Sequence, residues 1–470
     1  MDTKQFREYG HEFIDWMADY FENIENYPVK SQVAPGHIKS QIPTSPPADP
    51  ESMDDIFRDF REKIVPGITH WQHPGWMAYF PANNSPASVL AELLTAGLGT
   101  QCMIWQTSPA AAELEERVME WLRQMIGLPD TFTGVIQDTA STATLCALLS
   151  AREKKTGFGS NLKGISQKLR VYATSETHSS IEKGVKIAGF GKENLVMVDV
   201  LPDYSMDSQS LRNAIEADIV AGFSPCCVVA TLGTTSSMAL DAVYEIAPIC
   251  AEYGIWLHVD AAFAGTAAVV PELRGFMNGV EHADSFVFNP HKWMMTNFDC
   301  SAYFVRDPGM LIQTFEIHPE YLKTANDLQV KNYRDWGIQL GRRFRALKLW
   351  FVIRNYGVEG IRALVRQHVQ FAHTMAGWIK ADGRFEIMAP VALSLICFRL
   401  NPGNLNEEQL SNLNRKLLDQ INKKGDVFLT HTMLKGRYTI RVAIGSRTTR
   451  EKHVLQAWEI IRQEASVLMS

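Results

Sequence analysis

A lysine and an aspartate, each closing an apolar run, set the chemistry that this sequence can perform. Residues Ser285-Phe286-Val287-Phe288 lead into Asn289-Pro290-His291-Lys292-Trp293, so Lys292 ends a β-like stretch among apolar and aromatic neighbours. An ammonium placed there is poorly solvated, which lowers its pKa and favours the neutral amine. A neutral amine attacks carbonyls and forms Schiff bases. Taken alone a strand-ending lysine is ordinary, but a second apolar run, Ile255-Trp256-Leu257-His258-Val259, ends in Asp260. Neighbouring strands place both residues at one sheet edge, where open α/β sheets bind ligands. Pyridoxal phosphate needs this pair: a lysine to hold its aldehyde and a carboxylate to keep its ring nitrogen protonated. At ~4 Å and an effective dielectric of ~20, such an ion pair contributes about 4 kcal/mol, roughly three pKa units.

Other segments converge on the same edge. After residues 134–137 comes Asp138-Thr139-Ala140-Ser141-Thr142 and then the helix-like stretch 143–154. A helix N-terminus offers free N–H groups and hydroxyls to a phosphate, although the pattern by itself is only an N-cap. His178 follows a predicted strand at 170–174, and Thr234-Thr235 follow one at 227–232. A lone histidine is more often structural than functional. Further strands are predicted at 195–200, 255–259, 285–288 and 302–305, alternating with helices. That alternation implies an α/β fold, a mainly parallel sheet covered on both faces, in a large domain spanning 86–355. Residues 1–85 form an N-terminal helical and extended segment: a helix over 3–22 with Phe6, Tyr9, Phe13, Met17 and Tyr20 on one face, a proline- and serine-rich connector over 28–50, and a helix opening near Ser52. Its apolar residues are too few for a core of their own. Residues 356–470, with apolar runs at 392–400 and 438–444, form a small α+β domain. The aperiodic stretch 309–333 reads as a lid. The aromatic stretch from Trp71 to Pro81, broken by proline and glycine, serves either core or pocket.

Composition narrows the function classes. The chain has 470 residues, 46% of them hydrophobic, enough for a large core and more than one domain. A net charge of −6 leaves no basic footprint for nucleic acid or an anionic membrane. Seven cysteines, an odd number without C-x-x-C spacing, fit reduced thiols in a cytoplasm and no metal site. With no signal-like N-terminus and no long apolar run, a soluble cytoplasmic protein is expected.

Ser285-Phe286, five further residues and Lys292-Trp293 resemble the lysine signature of the group II pyridoxal-phosphate decarboxylases. His258-Val259-Asp260-Ala261-Ala262, Asn289-Pro290-His291-Lys292 and Asn297-Phe298-Asp299-Cys300-Ser301 resemble their aromatic L-amino acid decarboxylase branch, and the similarity runs from about residue 5 to 465. The resemblance implies the fold-type I architecture of pyridoxal-phosphate-dependent transferases. It also implies a homodimer in which the N-terminal segments of two subunits pack together. It assigns Lys292 to the cofactor aldehyde, Asp260 to its ring nitrogen, and Ala140, Ser141 and Asn289 to its phosphate. His178 and Ala262 are assigned to the two ring faces, Thr235 to the ring oxygen, and His291 to the substrate carboxylate. Trp71, Tyr79, Phe80, Pro81, Met103 and Gly341 are assigned to the substrate side chain. Arg441 lies near the site in the family, but a satisfied strand arginine reads equally well. Ala82, Gln101 and Met103 depart from frequent family residues, and Phe263 replaces a common tyrosine.

For mechanism, the resemblance makes Tyr321, backed by His178, the proton donor to the α-carbon after carbon dioxide leaves. Family members with phenylalanine there make aldehydes, and glycine at the position of Gly341 goes with aromatic rather than histidine substrates. The expected activity is therefore decarboxylation of an aromatic L-amino acid of the tryptophan, DOPA, tyrosine, phenylalanine or 5-hydroxytryptophan type. Histidine decarboxylation, aromatic aldehyde synthesis and a non-catalytic dimer are the alternatives.

Overall fold

The computed structural model describes residues 1–317 and 329–469. Short runs that are apolar without alternation are strands buried on both faces. Seven form one sheet: β1 Thr133–Gln137, β2 Leu169–Thr174, β3 Leu195–Val198, β4 Ser224–Thr231, β5 Trp256–Asp260, β6 Ser285–Phe288 and β7 Ser301–Val305, in the order β1-β7-β6-β5-β4-β2-β3. Strands β3, β2, β4, β5 and β6 run parallel, whereas β7 is antiparallel to both β6 and β1. The return from β6 to β7 holds a single helical turn, Pro290–Trp293, and doubles back beside β6 instead of crossing over the sheet. The fold is the mainly parallel α/β sheet that the run pattern predicts. Two limits differ by more than one residue: β3 stops at Val198, short of 200, and β4 begins at Ser224, ahead of 227. Thr231 pairs with Asp260 and Asp260 with Val287, so β4, β5 and β6 end at one edge.

Four helices matter to the site. The first, α1 (Thr3–Glu22), starts in a capping box between Asp2 and Gln5. Its aromatic stripe is only partly covered: Phe13 and Trp16 meet Phe57 and Phe60 at ring-centroid distances of 4.5 and 5.2 Å, yet Phe6 is 65% exposed and no α1 residue is buried. The connector at 28–50 contains a short helix, His37–Gln41, which its composition does not predict; Gly36 starts it from the left-handed region. Helix α2 (Pro86–Leu98) leaves Leu90, Leu93, Leu94 and Leu98 between 47% and 64% exposed. Helix α3 (Ala140–Thr156) packs on the face of the sheet over β1 and β4 to β7. Helix α4 (Arg345–Ala381) crosses the predicted boundary at 355 and breaks at Gly357, whose φ of 64° and ψ of 166° suit glycine.

The second sheet is antiparallel throughout, in the order β10-β11-β9-β8: β8 Phe385–Ile387, β9 Leu395–Leu400, β10 Thr430–Leu434 and β11 Arg437–Ala443. Only β9 and β11 correspond to continuous apolar runs. The half-exposed β10 alternates, which is why the run pattern misses it. Within the stretch predicted as a lid loop, Pro308–Phe315 is helical, because Asp307 Oδ1 accepts the N–H groups of Gly309 and Met310. Residues 318–328, and with them Tyr321, lie outside the described residues.

Candidate active site

The shared edge of β4, β5 and β6 opens into a cavity of about 210 Å³. Phe80, Ala140, Ser141, His178, Thr235, Asp260, Ala262, Asn289, His291 and Lys292, which the sequence singles out, all line it. Lys292 sits on the turn after β6, placed there by backbone bonds. Lys292 N donates to Asn289 O at 2.9 Å, and buried Asn83 donates through Nδ2 to Lys292 O at 2.6 Å and through its backbone N to His291 O at 3.1 Å. Behind the lysine stand three near-parallel rings, Phe80, Phe263 and Trp293, with centroids 4.1 and 4.5 Å apart. Lys292 Nζ lies 5.6 Å from the Phe80 ring and has no hydrogen-bond partner among the described residues. Burial lowers the Lys292 pKa, opposed in part by Asp260. This is the desolvated amine that the sequence predicts.

Asp260 is 4% exposed and accepts the N–H of Ala262 at 3.0 Å through Oδ1. The two cavity histidines share a device that sequence does not reveal. Ser180 donates its backbone N–H to His178 Nδ1 at 3.2 Å, and Cys300 donates its own to His291 Nδ1 at 2.9 Å. A backbone N–H can only donate, so each Nδ1 is unprotonated and a neutral ring carries its proton on Nε2. Burial lowers both pKa values, that of His291 to about 3. At α3, Thr139 is the N-cap and Ala140 and Ser141 are the first helical residues, where N–H groups lack intrahelical partners. Of the threonine pair, Thr234 is tied to Ser237 Oγ at 2.8 Å and Ala239 N at 3.0 Å, while Thr235 lines the cavity. Thr231, not anticipated, also lines it, and its buried hydroxyl has no partner among the described residues.

The donor set fits pyridoxal phosphate: an unpaired amine for an aldehyde, a buried carboxylate for a ring nitrogen, and a helix N-terminus with hydroxyls for a phosphate. Asn289 fits as well; its Oδ1 accepts from Ser301 Oγ at 2.6 Å, which leaves its amide N–H groups free to donate.

The other singled-out residues lie elsewhere. Trp71 stacks on Trp76 at 4.0 Å, and Tyr79 is 52% exposed at a φ of 49°. Pro81 packs beside Gly445, Met103 O accepts the N–H of Arg334, and Gly341 is exposed beside Gln101. None of these five lines the cavity. Arg441 stands one ring behind it: the guanidinium lies 5.5 Å from the Phe80 ring and bonds Thr430 Oγ1 and Tyr79 O, while Nε has no partner among the described residues. Asn83 and Thr231 escape sequence reading because a polar residue outside any motif carries no signal.

The profile described as the pyridoxal-dependent decarboxylase conserved domain matches residues 35–401. Over the whole chain the sequence is 43% identical to tyrosine decarboxylase 2 of Narcissus pseudonarcissus, covering 96% of that protein, and 44% identical to phenylacetaldehyde synthase of Arabidopsis thaliana, covering 97%. The crystal structure of Catharanthus roseus tryptophan decarboxylase in complex with L-tryptophan superposes with a TM-score of 0.94 at 39% identity, covering all of this chain and 99% of that one.

Proposed function

The chain belongs to the pyridoxal-dependent decarboxylase family, and on that premise we propose that it converts aromatic L-amino acids to the corresponding amines and carbon dioxide with pyridoxal 5'-phosphate. The observation that carries this reading is the unpaired, desolvated Lys292 amine sharing one cavity with Asp260 and the α3 N-terminus. Relatives named for tyrosine decarboxylation, and a structure holding L-tryptophan, supply the substrate class.

Bound in this cavity, the cofactor supplies an electron-accepting ring for the pair released when carbon dioxide departs. The protein does the rest. Lys292 contributes the amine that holds the cofactor aldehyde. Asp260 holds a proton on the ring nitrogen, and Ala140, Ser141 and Asn289 bind the phosphate. His178 and Ala262 would hold the ring between them, and Thr235 would contact its oxygen. His291, with Nε2–H as its donor, binds the substrate carboxylate without a full positive charge that would oppose its loss. The column Phe80–Phe263–Trp293 excludes water behind the reacting centre. Tyr321, backed by His178, delivers the proton to the α-carbon.

The uncovered face of α1 supports a homodimer built on the N-terminal segment, and the exposed leucines of α2 extend that surface into the large domain; the second subunit closes the substrate side with Trp71, Tyr79, Pro81, Met103, Gly341 and Arg441. All seven cysteines are free and buried, which supports a reducing, cytoplasmic setting. No described helix is long and apolar enough to cross a membrane.

The test is product analysis on a panel of L-amino acids that includes histidine, with added pyridoxal phosphate. Aromatic amines are expected, with a larger specificity constant for at least one aromatic substrate than for histidine. No amine from any aromatic substrate, or a preference for histidine, would refute the proposal. The phenylacetaldehyde synthase relative favours a second reading, oxidative conversion to an aldehyde. Aldehyde and peroxide measured beside the amine separate the two.

A further inference from the structure

One buried polar chain joins three of the elements that supply the cavity, yet none of its members lines it. His258 lies on β5 two residues before Asp260 and so projects to the same face of the sheet. Its Nε2 is 3.1 Å from Thr144 Oγ1 on α3, and its Nδ1 is 2.9 Å from Ser285 Oγ at the start of β6. Trp256 Nε1–H donates to that same serine oxygen at 2.9 Å. Thr144 is 1% exposed, and His258 and Ser285 are fully buried. Each of these elements carries a functional group at the cavity: α3 begins at Ala140 and Ser141, β5 ends at Asp260, and β6 leads to Lys292.

Imidazole suits this place because a neutral ring offers one donor and one acceptor at opposite ends of a rigid plane. Burial lowers the His258 pKa to about 4, so the ring is neutral near pH 7 and satisfies one hydroxyl with each nitrogen. A flexible side chain could follow α3 if it slid along the sheet. The ring cannot, and any shift strands a buried hydroxyl or ring nitrogen without a partner.

We propose that His258 is a positioning residue: the bridge Thr144–His258–Ser285 sets the distance from the α3 N-terminus to Asp260, and thereby matches the phosphate end of the cofactor site to its ring end. This rests on the reading of Ala140 and Ser141 as the phosphate cradle. A ligand without a phosphate engages only one end and is indifferent to that distance.

The experiment uses the full chain freed of cofactor and titrated, with tryptophan fluorescence as the signal, against pyridoxal 5'-phosphate and against pyridoxal. Thr144→Val keeps the shape of the side chain and removes its hydroxyl. It is expected to weaken the phosphorylated ligand about tenfold or more, the worth of one buried hydrogen bond, and to leave pyridoxal unchanged. Thr144→Ser, which retains the hydroxyl, is expected to restore the preference, and His258→Gln to lose it. Equal loss of both ligands in Thr144→Val, a general packing effect, overturns the proposal. Ser141→Ala controls the cradle. If Ser141→Ala lowers the preference for phosphate and Thr144→Val does not, the bridge alone is refuted; if neither lowers it, cradle and bridge both fall.

Discussion

The cofactor side and the substrate side of this site are built in opposite ways. On the cofactor side, Asp260, Asn289, His291 and the backbone of Lys292 are held by hydrogen bonds from the same chain, and the ring column behind the lysine is closed. On the proposed substrate side, Trp71 and Tyr79 are exposed, Gly341 lies at the surface, and the α2 leucines are about half exposed among the described residues. Parts of a site that need a fixed dielectric and fixed donors are completed inside one subunit. Parts that decide which ring enters, on the proposed assignment, lie at surfaces that the proposed second subunit would finish.

The largest effect is expected on the closed side. Lys292→Ala removes the one amine lining the cavity among the described residues and is expected to lower turnover by roughly 10⁴-fold or more. Borohydride treatment of the wild-type holoprotein is expected to leave cofactor mass on the peptide containing Lys292. Wild-type turnover in the variant would remove the basis for the comparison.

Next comes Tyr321→Phe, which probes the proposed proton donor. Amine formation is expected to fall by about 10²-fold, the usual worth of a general acid, while aldehyde and peroxide rise in oxygenated buffer. Unchanged amine with no aldehyde would assign α-carbon protonation to another group, with His178 acting through a water as the first alternative.

A smaller effect should split the two sides. Leu93→Glu combined with Leu94→Glu puts charge on the exposed face of α2, and sedimentation should show a shift toward monomer. Catalytic efficiency is expected to fall about tenfold or more while cofactor affinity changes by less than about threefold, corresponding to ~1.4 and ~0.7 kcal/mol. Equal losses in both would mean that the cofactor side also depends on the partner.

A separate effect, on stability and not on turnover, concerns pH. Burial holds His258, His291 and His368 neutral, with pKa values lowered from 6.5 to about 4, about 3 and about 3. Unfolded, each binds a proton near pH 6.5, so between that pH and the folded pKa the unfolded state binds more protons. Stability is complete above pH 6.5 and declines as pH falls, by about 2 kcal/mol per histidine at pH 5. Asp241 acts in the other direction: burial pushes its carboxyl up from 3.8 to about 6, so its contribution is lost as pH rises through that window and at pH 5 offsets part of the histidine loss. The melting temperature is expected to be lower at pH 5 than at pH 7. A value that is equal or higher at pH 5 would mean that these histidines charge without penalty.

What the sequence determined by itself was chemistry that is local in the chain: Lys292 and Asp260 at the ends of apolar runs, Ala140 and Ser141 after a capping threonine, and strands read from runs too apolar for any exposed face. Such features are legible because backbone propensity and side-chain type act within a few residues. Tertiary structure alone decided the antiparallel return of β7, the Asn83 clamp on Lys292, the ring column from Phe80 to Trp293, the protonated nitrogen of His178 and His291, and the bridge through His258. It also separated Trp71, Tyr79, Pro81, Met103 and Gly341 from the cavity that the motifs had grouped them with. Most of these depend on contacts between residues far apart in the chain, and a side chain's partner across that distance is set by packing, which leaves no periodicity in the sequence to read.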